Sequence, residues 1–283
     1  MLTTLHSENA LTKEEKATFE RQGYLKISEA LSETEVKNIE SNIDEIYQKF
    51  LLSGHDPYHK KAINPHLPFF YPDLLGTNSD FIELVDNAKT FPKVCGILGW
   101  NIYCYHTHFI VAPPIPENEE IPTHFHQDSG RVNSDIEVHP RPRLSIKVAY
   151  WLSNCSRPER GNLVVIPGSQ NYDNLDELQD TMHEGTVSIC GNPGDAVIFD
   201  RRLWHSSSPN KSTLTRKALF YGYGYRWLQP KDNMTISPET IKQYGPIRQQ
   251  LLGVASDNNR RFTPLPDDIP LKAWMEKTKL LQT

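Results

Sequence analysis

Six short segments rich in β-branched and aromatic residues place the strongest constraint on the fold of this chain. They are NIYCYHTHFIV, RLSIKVAYWL, NLVVIPG, TVSIC, DAVIFD and KALFYGYGYRW, and stretches rich in Pro, Gly, Asn or Asp separate them. Short strands divided by turn signals are typical of all-β sandwiches and barrels rather than of alternating β-α units. We therefore predict a mainly β core over about residues 100–228.

Helical patterns precede this core. Thr12 with Glu15, and Ser32 with Glu35, have the spacing of capping boxes that open helices. After the second box, apolar residues recur at three- and four-residue steps: Val36, Ile39, Ile43, Tyr47 and Phe50. Such a stripe predicts a surface helix with one apolar face on the core.

The remaining segments complete the predicted organisation. Residues 51–80 are rich in Pro, His and aromatic residues and have no clear period, which favours a functional loop. Residues 81–96 look helical again, and a short helix is expected near Leu271–Leu280. We see no repeat or clean linker and predict one domain over residues 1–283. Its parts are a helical N-terminal region (1–99), the β core (100–228) and a C-terminal tail (229–283).

Charge and cysteine usage argue against several classes of partner. The net charge of −5 and the pI of about 6.1 give no electrostatic reason to expect nucleic acid or an anionic membrane. The four cysteines are far apart and form no CxxC pair, which suits a reducing compartment. No signal peptide and no apolar run of membrane-spanning length are visible. We expect a cytoplasmic protein, either a monomer or a homodimer.

A candidate metal site begins in the segment THFHQD. His124, His126 and Asp128 follow one another at two-residue steps, so a strand here would direct all three to one face. Two histidines and one carboxylate on one side of a divalent metal are the ligands of non-haem iron(II) oxygenases. The His-x-Asp tripeptide alone is weak, because roughly 0.6 such pairs are expected by chance.

A third ligand and an anchor for a cosubstrate accompany that motif. His205 follows the apolar strand DAVIFD, and Arg216 begins the next predicted strand eleven residues later. Adjacent antiparallel strands would hold the histidine on the metal and the guanidinium further inside. An arginine offers a planar fork for the far carboxylate of a dicarboxylate that chelates the metal. His124 remains an alternative to Asp128 as a ligand, or a neighbour of the ligands.

The ordered motifs resemble one known family. NIYCYHTH, HQD, RLSIKVAYWLSN, RGNLVVIPGSQ, NPGDAVIFD, WHSSSPN and Arg216 together resemble the phytanoyl-CoA dioxygenase family of iron(II)/2-oxoglutarate oxygenases. The segment FERQGYLKI resembles the opening of that family, so the likeness covers about residues 12–228. It implies a double-stranded β-helix core, also called a jelly roll and cupin-like, with flanking helices. It also implies Fe(II) as cofactor and 2-oxoglutarate and O2 as cosubstrates.

The resemblance assigns roles to individual residues. His126, Asp128 and His205 would be the catalytic iron ligands, and Arg216 would bind the C5 carboxylate of 2-oxoglutarate. Related halogenases lack the carboxylate ligand, so the presence of Asp128 favours hydroxylation or another oxidation. Further 2-oxoglutarate contacts carry over to three residues that could equally serve turns or core packing: Tyr150, Ser207 and His108.

The expected reaction is oxidation of an unactivated C–H bond of a small molecule, with release of succinate and CO2. Basic residues near the metal motif suggest an anionic group on that substrate: Arg131, Arg141, Arg143, Lys147, Arg201 and Arg202. An ordinary solvated loop would explain them equally well.

Two other functions fit the metal motif. A cupin-like barrel that binds zinc or nickel for hydrolysis or isomerisation would share the metal ligands but would not need Arg216. A non-catalytic binding barrel would tolerate loss of all three ligands.

Overall fold

The computed structural model describes residues 7–116, 124–174 and 185–280. Within them the strands are β1 (Tyr24–Ile27), β2 (His55–Asp56), β3 (Lys61–Ala62), β4 (Phe69–Pro72), β5 (Ile102–Ala112), β6 (Ser145–Trp151), β7 (Leu163–Val165), β8 (Val187–Ile189), β9 (Ala196–Asp200), β10 (His205–Ser207) and β11 (Arg216–Tyr225). A six-stranded sheet has the order β1-β9-β6-β11-β5-β4, and a three-stranded sheet has the order β10-β7-β8. Neighbouring strands are antiparallel throughout both sheets.

Helices flank the sheets. They are α1 (Lys13–Gln22), α2 (Glu33–Ser53), α3 (Ser79–Glu83), α4 (Phe91–Leu98), α5 (Gly130–Asp135), α6 (Pro238–Ile241), α7 (Pro246–Leu251) and α8 (Pro270–Lys277). The two predicted capping boxes are confirmed at the starts of α1 and α2. The apolar stripe of α2 is buried at Val36, Ile39, Ile43 and Tyr47.

The large sheet is buried on both faces. On β6, Ile146, Val148 and Tyr150 belong to the apolar core that includes residues of the helices, from Phe19 in α1 to Met275 in α8. The alternate residues of β6 face the small sheet, where Ala149 and Trp151 pack in one cluster with Leu163 and Val165 of β7. The two sheets therefore enclose a second, smaller core, and the functional cavity lies beside it.

Two N-terminal segments differ from the prediction. Residues 51–80, expected as an irregular loop, contain the end of α2, the β2–β3 hairpin and β4, which pairs with β5 at the edge of the large sheet. Residues 81–96, expected as one helix, are interrupted because Asn87 Oδ1 accepts the backbone N–H groups of Lys89 and Thr90. A side chain that bonds nearby backbone in this way competes with helix formation.

The C-terminal helix lies where it was predicted, with α8 ending at Lys277. None of the helices in residues 7–116, 124–174 and 185–280 has both the length and the apolar composition needed to cross a bilayer.

A matched pair of glycines tests the packing of α1 beside the site. Gly23 and Gly54 end α1 and α2 with φ of +80° and +67°. A Cβ at Gly23 would clash with Gln170 Oε1 and lie 2.7 Å from Leu203 Cδ1, whereas Gly54 has nothing within 4 Å. We expect Gly54→Ala to lower the free energy of unfolding by about 1 kcal/mol through backbone strain. Gly23→Ala should cost about 2–4 kcal/mol because overpacking adds to that strain. Equal losses in the free energy of unfolding for the two variants, measured by urea denaturation, would contradict this.

Candidate metal centre and cosubstrate pocket

Three predicted ligands converge between the sheets. His126, Asp128 and His205 each offer a donor atom, and these atoms all lie within 4.8 Å of one another. The backbone brings them together. His126 N–H donates to His205 O at 2.9 Å, and His205 N–H donates to His126 O at 3.0 Å. Asp128 N–H also donates to Arg201 O at 2.9 Å, so both ends of the motif are fixed to the segment that leads into β10.

The segment around the motif is not the strand that we predicted. Residue 126 makes an isolated β-bridge to His205, and the chain bends at Asp128. His124 is exposed and lies outside the converging group, so the expectation of three side chains on one strand face is wrong. A bridge followed by a bend, rather than regular alternation, brings His126 and Asp128 together.

Both histidine rings are oriented by backbone carbonyls. Nδ1 of His126 lies 3.3 Å from His124 O, and Nδ1 of His205 lies 2.7 Å from Leu203 O. Because a carbonyl only accepts, these contacts assign the proton to Nδ1 and leave the Nε2 lone pair available to a metal. Phe199 packs edge-on against the His205 ring at 5.1 Å and further limits its rotation.

The charge state of the group suits a cation. Burial lowers the pKa of His205 to about 4, so its ring is neutral near pH 7. Burial alone would raise the pKa of Asp128, but the nearby Lys147 and His205 outweigh it and hold that pKa far below its usual range. Lys147 Nζ donates to Asp128 Oδ1 at 2.8 Å, while the buried Asp128 Oδ2 has no hydrogen-bond partner. A free carboxylate oxygen beside the neutral imidazole of His205 and the ring of His126 fits a divalent first-row metal.

Arg216 lines the same cavity, which has a volume of about 710 Å³. Its side chain is buried, and the guanidinium lies 5.9 Å from the ring of Trp151 and 5.8 Å from that of Phe220. Burial lowers the pKa of Arg216, and the Cys155 thiol is a hydrogen-bond partner. No carboxylate in the described parts of the chain pairs with this guanidinium, and its Nε has no hydrogen bond. A buried arginine in this state fits the carboxylate of a ligand.

The placement of His205 and Arg216 differs from the prediction in one respect. We expected adjacent strands of one sheet. Instead β10 belongs to the three-stranded sheet and β11 to the six-stranded sheet. The histidine and the arginine therefore line the cavity from two different sheets.

The structure brings two of the three remaining predicted residues to the cavity. Ser207 and His108 both line it. The His108 ring stacks on Phe220 with centroids 4.5 Å apart and planes 4° apart, and its buried Nδ1 has no hydrogen-bond partner. Burial holds the pKa of His108 well below its ordinary value, so this ring is neutral as well.

Tyr150 is the exception, and its predicted contact with 2-oxoglutarate is wrong. Its hydroxyl lies 2.7 Å from Thr90 Oγ1, in the core between the large sheet and the helices. Lys147, three positions earlier on β6, lines the cavity, and side chains alternate along a strand. Tyr150 therefore lies on the opposite face.

Most of the basic residues that suggested an anionic substrate are structural. Of that set only Lys147 lines the cavity. The guanidinium of Arg143 binds Asp200 at 2.6 Å and also Glu20, while Arg202 binds Asp200 at 2.7 Å. The other pairings are Arg131 with Asp135, Arg141 with Asp173, and Arg201 with Asn133. These contacts hold residues 129–143 against the core, so the expectation that the five arginines face the substrate is wrong.

Sequence reasoning missed the residues around the mouth of the cavity: Tyr58, Phe70, His106, Lys231 and Asp232. The alternation of His106 with His108 on β5 was the available signal. A larger depression of about 1010 Å³ lies near the start of α2, but it contains neither the three converging ligands nor Arg216. The chemistry therefore belongs to the smaller cavity.

The two sheets hold two histidines, a carboxylate and a buried arginine in one cavity. This arrangement defines the class of non-haem metal oxygenases with a dicarboxylate cosubstrate. The family model for phytanoyl-CoA dioxygenase (PhyH) matches residues 19–218, well over half of the chain. The chain belongs to the phytanoyl-CoA dioxygenase family and is an iron(II)- and 2-oxoglutarate-dependent dioxygenase.

Individual relatives are distant. Dioxygenase af480 of Aspergillus fumigatus is 23% identical over 227 residues, which cover 78% of this chain and 67% of that protein. The matches to two further fungal dioxygenases cover only 47% and 40% of those proteins.

Solved structures share the fold. HygX from Streptomyces hygroscopicus, solved with nickel and 2-oxoglutarate bound, has a TM-score of 0.61 at 19% identity over 78% of this chain and 90% of that one. SnoK, a non-haem α-ketoglutarate-dependent carbocyclase from nogalamycin biosynthesis, has a TM-score of 0.61 at 21% identity over 80% and 94%.

The neutral state of His205 makes the stability of the metal-free protein depend on pH. The folded pKa of about 4 lies below the unfolded value of about 6.5. Between these values the unfolded chain binds a proton that the folded protein does not, so acidification favours unfolding. We expect this residue to remove about 2–3 kcal/mol of stability between about pH 7 and pH 4.5.

Urea unfolding in the presence of a chelator, at several pH values, measures this effect. The control is His205→Gln, which cannot take up the proton and should show a shallower loss. His108 titrates in both proteins, so the difference between them isolates His205. The same pH slope in both would contradict the assignment.

Proposed function

We propose that this protein oxidises an unactivated C–H bond of a small-molecule substrate, chiefly by hydroxylation, with release of succinate and CO2. The observation that carries the proposal is the pairing of two unsatisfied groups in one cavity. Asp128 Oδ2 lacks a partner beside His126 and His205, and the buried Arg216 lacks a carboxylate partner among the described residues. The group around Asp128 is suited to bind a metal cation, and Arg216 is suited to bind a carboxylate anion.

Each residue would have a distinct role. His126, Asp128 and His205 would hold Fe(II), and Lys147 would keep Asp128 oriented through Oδ1. Arg216, with Ser207 on the opposite sheet, would bind the far carboxylate of 2-oxoglutarate. When bound, iron and 2-oxoglutarate supply the oxidising chemistry.

The walls of the cavity would protect that chemistry. The stacked rings of His108 and Phe220, together with Phe199, surround the site with aromatic surface. Such walls exclude water and restrict the pose of a bound substrate. The volume of about 710 Å³ lies in the range of small-molecule sites.

We also propose that the two-sheet core is a double-stranded β-helix and that residues 1–283 form one domain. The antiparallel pairing of both sheets and the apolar core that runs from α1 to α8 support this. Proteins of similar fold differ in the reaction or ligand for which they are described, since SnoK is a carbocyclase and HygX has been solved with hygromycin B bound. The presence of Asp128 in the ligand set supports hydroxylation here.

The competing functions account for less of the site. A zinc or nickel hydrolase would use the three ligands but would leave the buried Arg216 without a role, although a buried unpaired charge is costly. A non-catalytic binding barrel would leave the whole ligand set unexplained.

Anaerobic addition of Fe(II) and 2-oxoglutarate tests the proposal. The wild-type protein should develop a weak visible charge-transfer band, and His126→Ala or Asp128→Ala should abolish it. Arg216→Gln should weaken 2-oxoglutarate binding about a hundredfold, because the far carboxylate loses its buried partner. Iron should still load in that variant, as metal analysis after gel filtration would show.

Tyr150→Phe is the matched control, since Tyr150 faces the helices and not the cavity. It should leave 2-oxoglutarate affinity unchanged. The proposal fails if the wild type gives no band, or if the band persists without His126 or Asp128.

A further inference from the structure

One wall of the cavity is a continuous series of rings. The exposed Tyr58, in the turn between β2 and β3, lies 4.8 Å from Phe70 between ring centroids. Phe70 in turn lies 4.8 Å from His108, and His108 stacks on the buried Phe220 of β11 with centroids 4.5 Å apart. This aromatic wall runs from the solvent to the region of Arg216. Flat aromatic surface of this kind packs well against the ring system of a ligand.

Beside this wall His106 presents a fixed imidazole to the cavity. Its Nδ1 lies 2.6 Å from Asp232 Oδ1, and both residues are buried. Asp232 Oδ2 also accepts from the backbone N–H and the hydroxyl of Thr107 at 2.7 and 2.8 Å. The carboxylate is thereby fully engaged and holds the ring in place. Because a carboxylate only accepts, this contact assigns a proton to Nδ1, so Nε2, which no hydrogen bond within the described residues engages, is left as an acceptor for a ligand hydroxyl.

Lys231 has a fixed backbone and a free side chain. Its backbone N–H donates to Tyr105 O at 2.9 Å. The next two residues are fixed as well. Asp232 is held by its contacts with His106 and Thr107, and the backbone N–H of Asn233 donates to Asp73 at 3.2 Å. Lys231 is exposed, its side chain lines the mouth of the cavity, and its ammonium makes no hydrogen bond or ion pair with any residue that the structure describes. Partial loss of hydration lowers the pKa of Lys231, and Asp128 partly opposes this shift.

The charges of the cavity leave Lys231 without a counter-ion. Lys147 is bound to Asp128, and under the proposed function Arg216 is bound to 2-oxoglutarate. The carboxylates of Asp232 and Asp73 are occupied by His106, Thr107 and the backbone of residue 233. A cation without a partner at the mouth of a cavity is free to form a charge-assisted contact with an anionic group of a ligand.

We propose that Lys231 binds an anionic oxygen group of the substrate while the ring system of the substrate packs on Tyr58 and Phe70. The substrate class is then a ring-containing organic acid, with a carboxylate or an ionised phenol or enol as the anchoring group. This inference rests on the proposed function, because Arg216 must be occupied by 2-oxoglutarate. It replaces the arginines of residues 129–143 with Lys231 as the source of anion selectivity.

Binding of matched probes to the protein loaded with Fe(II) and 2-oxoglutarate tests this without turnover. The probes are benzoate, 1-naphthoate and anthracene-9-carboxylate, each compared with its carboxamide under anaerobic conditions. Perturbation of the visible band and calorimetry both report affinity. At least one carboxylate should bind about tenfold more tightly than its amide, because a charge-assisted contact replaces a neutral one.

Variants test whether Lys231 causes the preference for a carboxylate over its amide. Lys231→Met, which keeps the apolar stem, should remove the preference, and Lys231→Arg should retain it. The control Lys242→Met changes an exposed lysine outside the cavity and should behave as wild type.

The other outcomes overturn the inference. One is that the wild type binds no probe, or binds carboxylate and amide equally. Another is that the preference for carboxylate survives Lys231→Met. A third is that a carboxylate abolishes the visible band, which would place the probe at Arg216. If the visible band forms normally but no carboxylate binds more tightly than its amide, only the role of Lys231 is overturned. Absence of the band before any probe is added overturns the proposed function, and this inference with it.

Discussion

The reciprocal backbone hydrogen bonds between His126 and His205 are the constraint on which the site depends. They join the segment after residue 124 to β10, and the N–H of Asp128 adds a third bond to the same region. Each ring also directs its Nδ1 to a carbonyl two residues upstream. The backbone conformation that makes the bridge therefore also orients both lone pairs. The geometry of the ligands is determined by main-chain bonding and does not require the metal to impose it.

A buried charge network supports this arrangement from behind. Asp200, at the end of β9, is fully buried and binds the guanidinium groups of Arg143 and Arg202. Burial alone would raise the pKa of Asp200, but these two arginines outweigh it and keep the pKa low. Arg143 continues to Glu20 in α1. Two carboxylates, Glu20 and Asp200, thus link the N-terminal helix, the segment after the metal motif and the strand before His205. This network explains why Arg143 and Arg202 lie near the site without entering it.

The limits of sequence reasoning here have physical causes. Helix starts were predictable because capping boxes are local, and His205 and Arg216 were predictable from residue type and order. Tyr150 was assigned from the family resemblance, although Ser145 and Lys147, which alternate with Ile146 and Val148 along β6, already indicate that Tyr150 lies on the opposite face from Lys147. His106 and Lys231 were missed because their environment depends on a contact between residues 126 positions apart, His106 and Asp232. Spacing along the chain carries no signal of such a contact.

The unequal burial of the three ligands has a practical consequence. Asp128 and His205 are buried, whereas His126 is exposed. A chelator or buffer anion can therefore approach the coordination sphere from the side of His126 without any opening of the fold. If these residues hold iron as proposed, its exchange would be governed by ligand dissociation at one accessible imidazole and not by unfolding. Purified protein would then be stably folded even when poor in iron, and its metal content would reflect handling as much as folding.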